Sequence, residues 1–365
     1  MSRVPSFIIF LVLISTVYFG IHVFVYKSIT RSLIQDPGWQ RVLKWFFYIS
    51  GGSFFLITFL NPFFKMRAFN TYTGTWLGLM AISFFIFLLQ WIPVRVFSSH
   101  AKQITIGSLI MIAIIAGISL YNGVQLPRVK RLTIPIKNLP GQLSGFSLVQ
   151  ISDIHIEAFN NPARIHKIVD TINGLKPDLV VFTGDLIDGN VIKEKPLMEE
   201  LKRISARYGV LAVSGNHEFY AGYNTFKKVT DYAGFRVLHN ESVKIGNGLQ
   251  VVGLEDDEGR RFHDGAPDLD KAMKGCDPAL PTILLYHRPL KFHEAVEKGV
   301  DLQLSGHTHA GQIPPMDIIV WFYYKYPYGL YKEKDSYIYT SSGTDIWRTP
   351  MRLFSRNEIV YITLK

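Results

Sequence analysis

The sequence has 365 residues, 48% of them hydrophobic, with 39 Lys and Arg against 29 Asp and Glu, and a single cysteine, Cys276. One cysteine excludes an intramolecular disulfide and a thiolate zinc site, so any metal must be held by His, carboxylate or amide groups. The charge is lopsided: before residue 125 nine Lys and Arg face one acid, Asp36, while the remaining 241 residues carry 30 against 28. The basicity therefore flanks apolar segments, which points to anionic lipid headgroups and away from nucleic acid.

Four apolar runs, 7–26, 42–60, 75–92 and 104–121, are each close to the roughly 20 residues that span a hydrocarbon core as helix. The first is too long for a secretory signal, lacks a small-residue cleavage site and is followed by three more, so it reads as a retained helix. Trp39, Trp45, Trp76, Trp91 and Tyr121 fall near the run ends, where amphipathic rings settle at headgroup level, and Asn61-Pro62 and Pro93 supply helix stops. Lys and Arg balance on the two sides of a four-crossing topology, so the charges give no orientation. The runs hold almost no ionisable residue besides His22, which argues for an anchor over a transporter.

From residue 125 onward the pattern changes to short β-rich runs at 146–151, 179–183, 210–214, 249–253, 282–286 and 301–305, with closing strands in 337–365. Between them Ile165, Ile168, Val169 and Ile172, after Asn161-Pro162, and then Leu197, Leu201 and Ile204 follow helical spacing. The domains are thus 1–124, an all-α four-helix transmembrane region, and 125–365, an α/β or α+β layered domain.

Five of the six strands run directly into side chains that bind metals. SDIH (152–155) ends the first, GDLID (184–188) the second, GNHE (215–218) the third, YHRP (286–289) the fifth and GHTH (306–309) the sixth. In open α/β architectures ligands bind beyond the strand carboxyl ends, so these dispersed groups meet in one crevice. Singly each motif is ordinary turn chemistry; five in this order, each after a buried-type strand, are not. Gly184, Gly215 and Gly306, each just before a candidate ligand, suit tight strand-to-loop turns.

At this point the chain resembles the calcineurin-like metallophosphoesterase family, with its D-x-H, G-D-x-x-D, G-N-H-E, lone H and G-H-x-H motifs, over about 145–365. SGHTHAGQ and the late SSGT, PMR and NEIVYITL segments are similar to the transmembrane branch, whose best characterised relatives hydrolyse lipid-linked pyrophosphates such as UDP-2,3-diacylglucosamine. The resemblance implies a four-layer β-sandwich and two divalent metal ions (Mn, Fe or Zn). It implies that Asp153, His155 and His309 hold one ion, Asn216, His287 and His307 the other, and that Asp185 bridges them. Two such ions activate water and clamp phosphoryl oxygens, so no protein nucleophile is required. His217 would act on the leaving oxygen and Asp188 would orient it; Glu218 would be structural. Gly189 after Asp188, where protein phosphatases of the superfamily have Arg, speaks against a protein substrate. Ala310 stands where the membrane branch more often has Gly.

Other features carry weaker expectations. The acid run Glu255 to Glu258 reads as a solvated loop, and Arg260, Arg261 and Arg288 as salt-bridged surface residues or phosphate contacts. Residues 318–331 are aromatic with one charge, Lys325, and suit either a membrane surface or a core strand and hairpin. Cys276, His22, His100, His166, His239, His263 and His293 have no motif around them. The functional expectation is a multi-pass protein of a bacterial inner membrane that hydrolyses a lipid-linked phosphodiester or pyrophosphate, with the bilayer and that substrate as partners. The alternatives are a tethered phosphodiesterase for a soluble substrate such as a cyclic nucleotide, and a transporter or binding module whose metal site is structural or vestigial.

Overall fold

The computed structural model describes residues 3–60, 67–137, 139–156, 162–189, 195–246, 248–262 and 265–365. The Asn61-Pro62 stop, Asn161 and His263 lie outside the described residues. The chain divides into two compact units. One holds Met1–Asn122 with the short segments Ile313–Pro315 and Arg348–Leu353; the other holds Gly123–Gln312, Met316–Trp347 and Phe354–Lys365.

The first unit is helical: α1 (Arg3–Leu33), α2 (Pro37–Leu60), α3 (Arg67–Val96) and α4 (Ala101–Val124, whose last two residues belong to the second unit). Three of these helices contain stretches long and apolar enough to cross a membrane, Leu11–Leu33, Ala68–Val96 and, from just before α4, Ser98–Val124. The sequence leads one to expect four; among the described residues three helices hold stretches of membrane-spanning length, and α2, which carries Arg41 and Lys44 with Trp39, Trp45 and Tyr48 in its first half, is not one of these. Large side chains such as Ile49 and Leu89 point outward, 68% and 73% exposed, as a lipid-facing surface would have them. Inside the unit, His22 is buried with both ring nitrogens engaged: Nδ1 donates to the Tyr18 carbonyl at 2.8 Å and Nε2 accepts from Trp76 Nε1 at 2.9 Å. A Cβ at Gly51 would lie 3.0 Å from that ring, so the glycine makes its room. A fully bonded imidazole of this kind is a packing element.

The second unit contains strands β1 (Arg128–Ile134), β2 (Ser147–Ile151), β3 (Leu179–Thr183), β4 (Val210–Val213), β5 (Arg236–Val237), β6 (Glu241–Ile245), β7 (Leu249–Gly253), β8 (Thr282–Leu285), β9 (Leu302–Ser305), β10 (Gly329–Glu333), β11 (Ser336–Thr340) and β12 (Glu358–Leu364). Its helices are α5 (Pro162–Gly174), α6 (Lys195–Lys202), α7 (Asn216–Tyr220), α8 (Tyr223–Ala233), α9 (Gly259–Phe262), α10 (Leu269–Ala272), α11 (Phe292–Glu297) and α12 (Met316–Tyr323). Two six-stranded mixed sheets form, in the orders β1-β12-β2-β3-β4-β5 and β10-β11-β9-β8-β7-β6.

Strand period explains the layering, since alternate residues face opposite sides. In β3, Leu179 and Val181 enter a core shared with Ile283, Leu285, Leu302 and Leu304 of the other sheet, while Val180 and Phe182 pack against Ile165, Val169, Leu197 and Phe226 of the helices. Leu284 turns instead toward Leu269 and Ala295 of α10 and α11. The result is helix, sheet, sheet, helix, the four-layer sandwich that the resemblance implies. Strands β2, β3 and β4 run parallel, as do β7, β8, β9 and β11. Parallel strands bring their carboxyl ends to one edge of each sheet, which sets where the loops converge.

Candidate metal centre

Each polar cluster sits on the turn that leaves a buried strand, and the turns are sharp. Five of the seven expected ligands have left-handed backbone: Asp153 (φ 55°), His155 (52°), Asp185 (55°), His307 (70°) and His309 (49°). Side chains with a Cβ avoid this region, and such residues persist where the surroundings over-determine them, commonly at functional sites. The three preceding glycines serve mainly as space. Gly184 does have φ +94°, but Gly215, at φ −106°, and Gly306 do not lie in the left-handed region. A Cβ on Gly215 would fall 2.2 Å from Asp185 Oδ1, and one on Gly306 would fall 1.9 Å from Ser152 Oγ and 2.3 Å from Asp153 Oδ2. At these two turn positions it is the close approach of neighbouring atoms, rather than backbone conformation, that calls for glycine.

Among the described residues three groups bring His and carboxylate ligand atoms within 4.8 Å of one another: Asp153, His155 and His309; His155, Asp185 and His217; Asp185, His287 and His307. They hold six of the seven expected ligands. His155 Nε2 lies 2.9 Å from His309 Nε2, and His309 Nε2 lies 3.5 Å from Asp153 Oδ1. On the other side His287 Nε2 is 3.2 Å from His307 Nδ1. Asp185 Oδ2 stands between, 3.9 Å from His155 Nε2 and 3.1 Å from His287 Nε2. The seventh, Asn216, opens α7, and its Oδ1 is buried with no hydrogen-bond partner. An orphaned buried carbonyl oxygen is costly unless something positive meets it, so the donor set fits two divalent cations held by mixed nitrogen and oxygen ligands.

The far sides of two candidate-ligand imidazoles, His287 and His155, are anchored, which fixes the atom each presents. His287 Nδ1 donates to the Thr183 carbonyl at 2.7 Å, leaving Nε2 toward the centre. His155 Nδ1 donates to Asp188 Oδ1 at 2.7 Å, and His217 Nδ1 reaches the same oxygen at 2.6 Å. Asp188 therefore does more than orient His217: it also holds a candidate ligand. Glu218 is fully buried and accepts from Gly215 N (2.6 Å), Leu186 N (2.8 Å), Asp185 N (2.9 Å) and Ile187 N (3.2 Å), tying the second and third loops together.

Charge follows from this crowding. Burial alone would suppress protonation of His217, but Asp185, Asp188 and Glu218 outweigh it and hold the imidazole up at about 9. His287 is likewise opposed by burial and raised to about 10 by Asp185, Asp153 and Asp256. Burial and the neighbouring His287 push His307 well below its ordinary range. Burial raises Asp153, whereas at Asp185 the surrounding histidines overcome burial and keep the carboxylate ionised. Burial and Asp185 lift Glu218 to about 7.

Several residues near the centre carry no motif. Trp347 places its ring 5.7 Å from that of His217 and 6.4 Å from that of His155, Tyr220 lies 5.3 Å from His217, and Tyr324 lies 5.8 Å from His307. Tyr220 is visible in retrospect, three residues after His217 on a helix; Trp347 has no local signal. The acid run also needs correction. Glu255 and Asp256 are buried rather than solvated, because Arg288 grips Asp256 with two bonds of 2.7 and 2.8 Å, and Tyr286 donates to Asp257 at 2.7 Å. Arg260 and Arg261 are exposed and paired with Asp257 and Glu258. Among the described residues, His22, His100, His166, His239, His293 and Cys276 belong to no metal-holding group.

A family model described as calcineurin-like phosphoesterase matches residues 146–311. The chain is 35% identical over 246 residues to an uncharacterized metallophosphoesterase of Helicobacter pylori, covering 67% of this chain and 65% of that one. It is 34% identical over 280 residues to a transmembrane protein with metallophosphoesterase domain of Danio rerio, covering 73% and 64%. An uncharacterized metallophosphoesterase of Aquifex aeolicus is 35% identical over 242 residues, covering 65% of this chain and 92% of that one. The chain thus spans less than two thirds of the first two relatives and most of the third. The second unit, with two sheets and convergent His and Asp loops, is a metallophosphoesterase domain. The chain belongs to the calcineurin-like phosphoesterase family.

Proposed function

We propose that this protein is a membrane-anchored, dinuclear-metal hydrolase of phosphodiester or pyrophosphate bonds, acting on a lipid-linked substrate of the UDP-diacylglucosamine type. The reading rests above all on the overlap of the three His and Asp groups through His155 and Asp185. Asp153, His155 and His309 would hold one divalent ion, Asn216, His287 and His307 the other, and Asp185 would touch both. Bound there, the ions supply Lewis acidity toward phosphoryl oxygens and an activated water.

The chain's own residues do the rest. Asp188 fixes His217 by Nδ1, so Nε2 faces away from that carboxylate as a proton donor for a leaving oxygen. Asp185 accepts the His217 amide at 2.9 Å, which sets α7 against the centre. The rings of Trp347 and Tyr220 flank His217 at 5.7 and 5.3 Å.

The lipid substrate is supported by the three membrane-length helices on the same chain. The test is turnover by the purified full-length protein with Mn²⁺, Fe²⁺ or Zn²⁺ against nucleotide-diphosphate lipids, prenyl pyrophosphates, phospholipids, cyclic nucleotides and bis(p-nitrophenyl) phosphate. Preference for a lipid pyrophosphate supports the proposal. Turnover confined to the water-soluble esters replaces it with a tethered phosphodiesterase, and no metal-dependent turnover at all removes the enzymatic reading.

A further inference from the structure

Among the described residues of the second unit, helix α12 is an apolar element left largely uncovered. Of its eight residues only Val320 is buried, whereas Met316, Ile318, Ile319, Trp321, Phe322 and Tyr323 are exposed, Phe322 to 89%. Six large apolar side chains on two turns of helix cannot be left to water without a reason, because a patch of that kind is covered by a partner or by lipid. Its composition favours lipid: the helix has one charge, Asp317, at its first turn, and ends in Trp-Phe-Tyr, whose rings take an apolar body and a polar tip into the headgroup boundary.

Chain continuity selects the same occupant. Residues Ile313–Pro315, directly before α12, belong to the helical unit, where Ile313 is buried among Ile82 of α3, Ala116 of α4 and Met351. The first residue of α12 follows that segment without a linker. Directly after the helix, Tyr324 brings its ring to 5.8 Å from His307. We infer that α12 is an interfacial helix that lies in the surface of the bilayer spanned by the chain's own apolar helices, with Trp321, Phe322 and Tyr323 among the acyl chains and headgroups. The inference concerns where the helix sits and holds whatever the substrate is.

The test uses the full chain with Cys276→Ser, reconstituted in phosphatidylglycerol and phosphatidylcholine vesicles and carrying an environment-sensitive fluorophore on Phe322→Cys. The same label on Lys274→Cys, an exposed turn position, is the reference. An interfacial helix sinks about 5–10 Å into the headgroup and acyl boundary, so emission at 322 should shift to the blue. It should also be quenched several-fold more by nitroxides on lipid acyl chains, and several-fold less by aqueous iodide, than at 274. Iodide access equal to that at 274 overturns the inference. Protection from iodide without quenching by lipid nitroxides also overturns it, in favour of a protein partner or a second copy. A label on Trp321→Cys reads the same boundary should the 322 variant fail to reconstitute.

Discussion

His155 and His217 share one oxygen: Asp188 Oδ1 accepts from His155 Nδ1 at 2.7 Å and lies 2.6 Å from His217 Nδ1, with the two rings edge to face at 4.7 Å. One carboxylate thus fixes the tautomer of a candidate metal ligand and of the candidate proton donor together. Histidines with a charged partner behind them are better oriented and more basic.

Changing Asp188 should therefore damage two functions, and changing His217 only one. Asp188→Asn is expected to lower turnover and also weaken metal binding by about 10- to 100-fold. His217→Ala is expected to lower turnover by about 100- to 10,000-fold while the metal content per chain stays unchanged. Steady-state kinetics with elemental analysis separates the two; equal metal loss in both variants would show that His217 is a ligand.

Glu218 is predicted to be structural. Removing its carboxylate orphans four buried amide donors, each costing about 1–3 kcal/mol, less the benefit of no longer burying a charge. Glu218→Ala should destabilise the second unit by about 3 kcal/mol or more. Thermal unfolding of the solubilised protein checks this, and a shift too small to measure would refute it.

Ala310 sits at φ 50°, ψ 27°, where a Cβ costs about 1–2 kcal/mol. Ala310→Gly relieves that strain and adds about 0.4–1 kcal/mol of unfolded-state entropy, so the variant should be unchanged or slightly more stable, with metal binding intact. A clear loss of stability would mean that the methyl group contributes packing beyond its strain.

Metal uptake should depend on pH in a defined direction. Without metal, Asp185, Asp153 and Asp256 hold His287 protonated, up to about 10, against the pull of burial. An ion needs the neutral imidazole, so binding releases that proton and affinity rises with pH, by about tenfold per unit below 10 for this one site. His307, already held neutral by burial and His287, releases none. Titration calorimetry in buffers of different ionisation enthalpy counts the protons; pH-independent affinity would contradict the assignment.

What the sequence disclosed and what it hid have physical reasons. Strands β3 and β7 are readable to the residue because each is a fully buried, mostly apolar run beside turn residues: LVVFT lies between Pro177-Asp178 and Gly184, and LQVVG follows Gly248. Strands β1 and β6, RVKRLTI and ESVKI, lie at sheet edges with mostly exposed or half-exposed residues, so no apolar run marks them. The candidate ligands were legible because each follows a strand end in a local motif. The burial of Asp256 was not, since its partner Arg288 lies 32 residues away and a run of four acids reads locally as solvated. The left-handed backbone at Asp153 and His155 was hidden as well, because residue type does not call for it; their amides donate to the Gly184 and Asp185 carbonyls of the neighbouring turn.

The central claim is a pair of ions joined by Asp185, and the number of metals bound per chain tests it most directly. Equilibrium dialysis of the full-length protein against Mn²⁺ should give two tightly bound ions per chain, and Asp185→Asn should lose tight binding of both. A single ion in the unaltered protein, or two retained after the substitution, would contradict it.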